Sequence, residues 1–243
     1  MIVPLDDVVL LVISSFLGSA MTAALGVGGG AFLITMMAGI VPPLALIPLH
    51  GVVQLGSNAS RALHSRKHLH LPRFGYFMVG AVIASLGSFW LIGQMDVELI
   101  PLLVAVFILW LIWMPMPDLK LGTSKVGLLV GGIMTTIASM LVGASGPLVS
   151  AWLGRDGYDK WQYTALFSFS MTAQHLLKIL VFGFAGFMFS KWLVLLALML
   201  VAGYIGTRVG LKLLGRLPDA KFKTLFRWML TVLSLRLIWQ WYV

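Results

Sequence analysis

The residues best equipped for chemistry in this chain are polar ones set in apolar surroundings. His50, Gln54 and Asn58 recur every four positions, so on a helix they share one face, and Arg61 continues that face toward a basic loop. Ser170, Gln174 and Lys178 repeat the spacing later, with His175 beside them. Amides, hydroxyls and cations in such stripes suit an anion, because they offer hydrogen-bond donors and positive charge but no carboxylate for a cation. All eight acids, Asp6, Asp7, Asp96, Glu98, Asp118, Asp156, Asp159 and Asp219, fall in expected loops or at helix ends. A proton relay within the spans would therefore have to use His50 or His175.

Two glycine clusters are candidate anion cradles. Gly26-Val27-Gly28-Gly29-Gly30 and Gly143-Ala144-Ser145-Gly146-Pro147 each interrupt an apolar run. A helix broken there aims its first N–H groups and its positive dipole end at a ligand, and Gly28, Gly29, Gly30, Ser145 and Gly146 allow close backbone approach. Close packing of helices through small residues accounts for the same glycines equally well. The spacing is not that of a dinucleotide-binding loop, and no Gly-x-x-x-x-Gly-Lys-Ser/Thr segment occurs. Lys178 likewise has two readings, a site cation or an interfacial side chain that snorkels outward near Gly183.

His64, His68 and His70 form a further cluster with ligand chemistry. A divalent-metal exporter is the alternative function such a loop would serve, but Arg66 and Lys67 interleave with it and repel a dication. A solvated loop facing anionic lipid fits better, so no metal site and no cofactor is expected. The chain has no cysteine, and no nucleophile with its base or pair of carboxylates can be assembled, so an enzyme is not expected.

The elements that must position these stripes are membrane spans. Of 243 residues, 60% are hydrophobic and only 10% charged, against roughly 25% charged in soluble domains. From Val8 to Ser60 no Asp, Glu, Lys or Arg occurs over 53 positions, whereas one span needs about 20, so this stretch folds back on itself. Full spans are expected at about 8–25, 43–62, 74–93, 97–116, 125–142, 161–182, 190–211 and 222–243, with short pieces at about 28–41 and 144–155. The runs are too long and too evenly apolar for barrel strands. The expected fold is an all-α polytopic membrane protein, one transmembrane domain over 1–243 with interrupted or re-entrant helices near Gly26–Gly30 and Gly143–Pro147. The acidic start, Asp6 and Asp7, argues against a cleaved signal peptide.

The net charge of +9 resolves by loop. Arg61, Arg66, Lys67 and Arg73 fall in one expected loop, six bases from Arg208 to Arg227 in another, and Lys120 with Lys125 and Arg155 with Lys160 in two more. Placing these on the cytoplasmic side leaves both termini outside and explains the excess without nucleic acid. The halves, about 1–116 and 125–243, share one plan: helix, small-residue break, short piece, three spans. Setting Gly30 on Gly146, an offset of 116, puts Gln54 and Asn58 opposite Ser170 and Gln174. The charge bias of the loops reverses between halves, as inverted-topology repeats require, and such repeats bind substrate near the midplane at broken helix ends.

Gly26-Val-Gly-Gly-Gly30 after a first helix, a second break ending Gly146-Pro147, Thr164 and Lys178 in the helix that follows, and Gly203-Tyr-Ile-Gly206-Thr-Arg208 before a basic loop together resemble the sulfite exporter TauE/SafE family over nearly the whole chain. The resemblance implies a multi-pass permease of the bacterial cytoplasmic (inner) membrane for sulfite, sulfonates or related organosulfur anions. Its partners would be that small anion and lipid, with homo-oligomerisation left open. The expectation is therefore a secondary transporter or facilitator, acting as an exporter. Its substrate-binding residues would be Gly28, Gly29, Gly30, His50, Gln54, Asn58, Ser145, Gly146, Ser170, Gln174, His175 and Lys178.

Overall fold

The structure is a computed structural model, and it describes residues 3–26, 28–94, 96–114, 124–153, 158–213 and 219–243, the side chains of the last stretch from 224 onward. Val27, Asp118, Lys120, Arg155, Asp156 and Arg216, and the side chains of Asp219, Lys221 and Lys223, lie outside the described residues. The described backbone forms ten α-helices: α1 Leu5–Leu25, α2 Gly29–Ala38, α3 Pro43–Ser65, α4 Leu71–Ile92, α5 Ile100–Trp113, α6 Lys125–Val142, α7 Gly146–Leu153, α8 Lys160–Phe184, α9 Leu193–Leu213 and α10 Asp219–Tyr242. These match the expected spans and short pieces to within a few residues at each end.

Local chemistry sets the boundaries. α1 stops at Gly26, whose φ of 91° lets its N–H turn back to the Thr22 carbonyl at 2.9 Å, a conformation that a residue with a Cβ adopts only with strain. α6 stops in the same way at Gly143, φ 77°, whose N–H bonds to the Ser139 carbonyl. α3 opens on Pro43, which suits the first turn because its missing N–H would have had no partner in the helix. α8 opens on a capping box in which Asp159 accepts from the Trp161 and Gln162 N–H groups and the Gln162 side chain reaches back to the Asp159 N–H.

Length separates spans from inserts. α2 has 10 residues and α7 has 8, hence about 15 and 12 Å of rise, half or less of a hydrocarbon layer of about 30 Å. Neither is long enough to cross. α1, α4, α6, α8 and the run Phe189–Leu213 are long and apolar enough to span a bilayer, and the chain is a multi-pass helical membrane protein. α3, with 23 residues, has the length but carries the polar stripe. The outward faces of α4 and α9 stay apolar, with Leu86, Trp90, Val194 and Val201 exposed.

The packing pairs helices across the two halves. α1 lies along α9 and α4 along α6, while α3 packs on α8 and α5 on α10. Exchanging the first five helices with the last five turns α1–α9 into α6–α4 and α4–α8 into α9–α3, both of which are present. The first two pairs are backbone-close: a Cβ added at Gly206 would run into the Phe16 carbonyl, and one at Gly132 into the Phe77 carbonyl. Small residues permit this approach where lipid supplies no hydrophobic drive between helices. The larger apolar core surrounds α2 and α3, including Leu33, Ile34, Met37, Leu46 and Leu49. A second core, around Phe77, Leu128, Val149 and Phe167, locks α4, α6, α7 and α8.

Candidate functional site

The two helix breaks meet at one small cavity of about 20 Å³. Gly28, Gly30 and Ala31 line it from the start of α2, and Gly143 to Pro147 from the start of α7. The first internal bonds of these helices run from the Phe32 N–H to the Gly28 carbonyl and from the Val149 N–H to the Ser145 carbonyl. The N–H groups ahead of those bonds are therefore the orphan donors of two helix N-termini, and both termini face the same space. A space of this size holds about one water. For anything larger than a water to enter, the breaks or the flanking Phe167 and Met171 must move apart.

α3 supplies one wall. His50, Gln54, Asn58 and Arg61 are all buried on one face, as the fourfold spacing predicts. The His50 Nε2–H donates to the Gly30 carbonyl at 3.0 Å, tying α3 to the first break. The Asn58 amide donates to the Gln54 carbonyl at 2.8 Å and accepts a short hydrogen bond from the Arg61 guanidinium. Arg61 also donates to the Thr22 carbonyl at 3.3 Å and lies 5.3 Å over the Phe167 ring. The expectation that Arg61 belongs to a cytoplasmic loop is thereby corrected: α3 runs on to Ser65, and Arg61 is only 1% exposed. The helix continues because no glycine or proline interrupts residues 57–65.

α8 supplies the opposite wall. Gln174 is fully committed: its Oε1 accepts from the Ser145 hydroxyl at 2.8 Å, and its amide donates to the Thr135 and Thr136 hydroxyls at 2.7 and 2.9 Å. Lys178 does not snorkel. It is 0% exposed, and its ammonium donates to the Gly143 carbonyl at 2.9 Å, the last carbonyl turned out by the second break. A cation at that end also meets the negative pole of the α6 dipole. His175 lies edge to face with His50, ring centroids 5.9 Å apart, and neither of its ring nitrogens has a hydrogen-bond partner.

The structure thus gathers Gly28, Gly30, His50, Gln54, Asn58, Ser145, Gly146 and His175 on the cavity. Gly29, Gln174 and Lys178 stand behind it, bracing the breaks that form it. Ser170 is buried away from the lining, with its hydroxyl unpartnered. Thr22, Phe167 and Met171 line the cavity without having been singled out, since nothing in their spacing distinguishes them from core residues. A larger cavity of about 240 Å³, lined by residues such as Leu44, Ile47, Ile100 and Phe182, carries no polar side chain. Chemistry rather than size therefore marks the smaller one.

The histidine loop does not gather. The His64 ring N–H donates to the Ser60 carbonyl at 2.7 Å, and His68 stacks on Trp161. Among the described residues no group of three or more His, Cys, Asp or Glu could hold a metal ion.

A comparison with protein families matches residues 11–237 to the model described as Sulfite exporter TauE/SafE. The chain belongs to the sulfite exporter TauE/SafE family. The match spans both breaks and both polar stripes, so the site lies wholly within the family's shared region. Neither the curated proteins nor the solved structures searched give a match to the chain.

Proposed function

We propose that this protein is a secondary transporter or facilitator that exports a small sulfur-containing anion, sulfite or a sulfonate, across a bacterial cytoplasmic membrane. Family membership supports a membrane transporter of sulfur anions. The observation that carries the reading to this chain is electrostatic. Among the described residues Arg61 and Lys178 are buried beside the two helix breaks, and no Asp or Glu is buried anywhere. Such a site attracts an anion and repels cations.

Its two halves act as inverted repeats, so that α2 and α7 approach the site from opposite faces of the membrane. The exchange symmetry of the helix pairs and the reversal of loop charge support this arrangement. On the same orientation both termini lie outside the cytoplasm. An interior-negative potential then drives each negative charge outward by about 2.3 kcal/mol per 100 mV, enough for export without a coupling ion. Proteoliposomes test this directly: sulfite or sulfonate efflux is expected, accelerated by an imposed inside-negative potential. Flux indifferent to voltage refutes the uncoupled mechanism, and no flux of any sulfur anion refutes the function.

A further inference from the structure

The cap glycines Gly26 and Gly143 are 117 positions apart, and so are Gly29 and Gly146, the first residues of α2 and α7. Arg61 and Lys178 are also 117 positions apart. They do the same thing in the two halves. Each is held on a carbonyl at the C-terminal end of a broken helix, Arg61 on Thr22 of α1 and Lys178 on Gly143 of α6. Such an end carries only about half a negative charge, so about half of each full positive charge stays uncompensated. The Nε of Arg61 has no partner at all. Two purely structural cations buried without carboxylates would be a costly way to brace a fold. The cavity lies between them, bounded by Asn58, which holds Arg61, and by Gly143, which holds Lys178.

We infer that Arg61 and Lys178 form a matched pair of substrate cations, and that the transported species is a dianion whose two charges balance them. This rests on the anion-transport reading above and adds the charge of the substrate and the role of Arg61. Arg61 stands level with Phe167, eleven residues along α8 from Lys178, so about 16 Å of helix rise separates the two cations. An anion between them is about 8 Å from each and is attracted by both through a poorly screening interior rather than chelated by either. Coulomb energy scales with the charge of the ligand. Removing one cation therefore costs a dianion twice the free energy it costs a monoanion, and the fold-loss in affinity is squared.

The test compares two anions with the same SO₃ head, sulfite at a pH where it is the dianion and methanesulfonate, a monoanion. Binding is measured by calorimetry on purified full-length wild type and on R61Q, K178Q, R61K and K178R. Wild type is expected to prefer sulfite by about tenfold or more. R61Q and K178Q should each weaken sulfite binding by about the square of the factor for methanesulfonate, while R61K and K178R keep the preference. The ratio of two affinities in one preparation cancels any unfolded fraction, and the charge-conserving variants cover a Gln variant that does not fold. Equal wild-type affinities, or equal fold-losses for both anions, overturn the inference and leave anion transport standing. Binding of neither anion by wild type overturns both.

Discussion

Gln174 is the side chain that most directly joins the second break to its scaffold. Gln174→Leu keeps the volume nearly constant and removes three hydrogen bonds at once, to Ser145, Thr135 and Thr136. Thr135 keeps its own bond to the Gly131 carbonyl and Ser145 only a weak one to the Met171 sulfur at 3.9 Å, so the Ser145 and Thr136 hydroxyls lose most. Hydrogen bonds inside membrane proteins average about 0.6 kcal/mol, so three contribute about 2 kcal/mol. That lowers the folded-to-unfolded ratio by about 30-fold. Reversible unfolding in mixed micelles measures the loss, and a double-mutant cycle with Ser145→Ala isolates the bond to the break, with a coupling of about 0.6 kcal/mol. Transport should fall more than stability explains, because the freed Ser145 no longer fixes the start of α7 against the cavity. Full stability together with additive single effects would refute this account of how the break is held.

Gly29→Ala should disrupt the α1–α2 hairpin, because the added Cβ collides with the Gly18 carbonyl, which is backbone and cannot swing away. A loss of about 1–3 kcal/mol is expected by the same unfolding assay, whereas Gly75→Ala, with open space around it, should be neutral or slightly stabilising. Because the chain contains no cysteine, single-cysteine labelling reads orientation cleanly. E98C and K191C, both at exposed positions, should react with an impermeant maleimide from outside the cell, and R66C only after permeabilisation. The reverse pattern would overturn the assigned sidedness.

Much of the fold is legible in the one-dimensional pattern. The charge-free run from Val8 to Ser60 is too long for one span, and glycine clusters followed by short apolar pieces mark the two breaks. Those signals are local, depending on composition and on what a backbone without a Cβ can do. The fourfold spacing of His50, Gln54 and Asn58 likewise forces a common face whatever surrounds the helix. The offset between halves was harder to read. Aligning Gly30 with Gly146 misses by one residue the register set by the cap glycines, and one residue is 100° around a helix. That slip pairs Asn58 with Gln174 and hides the correspondence of Arg61 with Lys178.

Depth of burial was the other quantity decided only in three dimensions. In the sequence Arg61 sits at the start of a basic segment and Lys178 within a turn or two of an expected helix end, and in both places a long cationic side chain can reach water as easily as the interior. The antiparallel packing of α3 on α8 closes off that route, and the carbonyls freed at the ends of α1 and α6 give each cation an inward partner. Sequence alone thus determined the spans and the two breaks, and set the expectation of an anionic ligand, because these follow from residue type and spacing. Which side chains meet at the breaks depended on helices 20 to 39 residues away within each half and on the facing helix of the other half, and hydropathy along a single chain carries no record of those contacts.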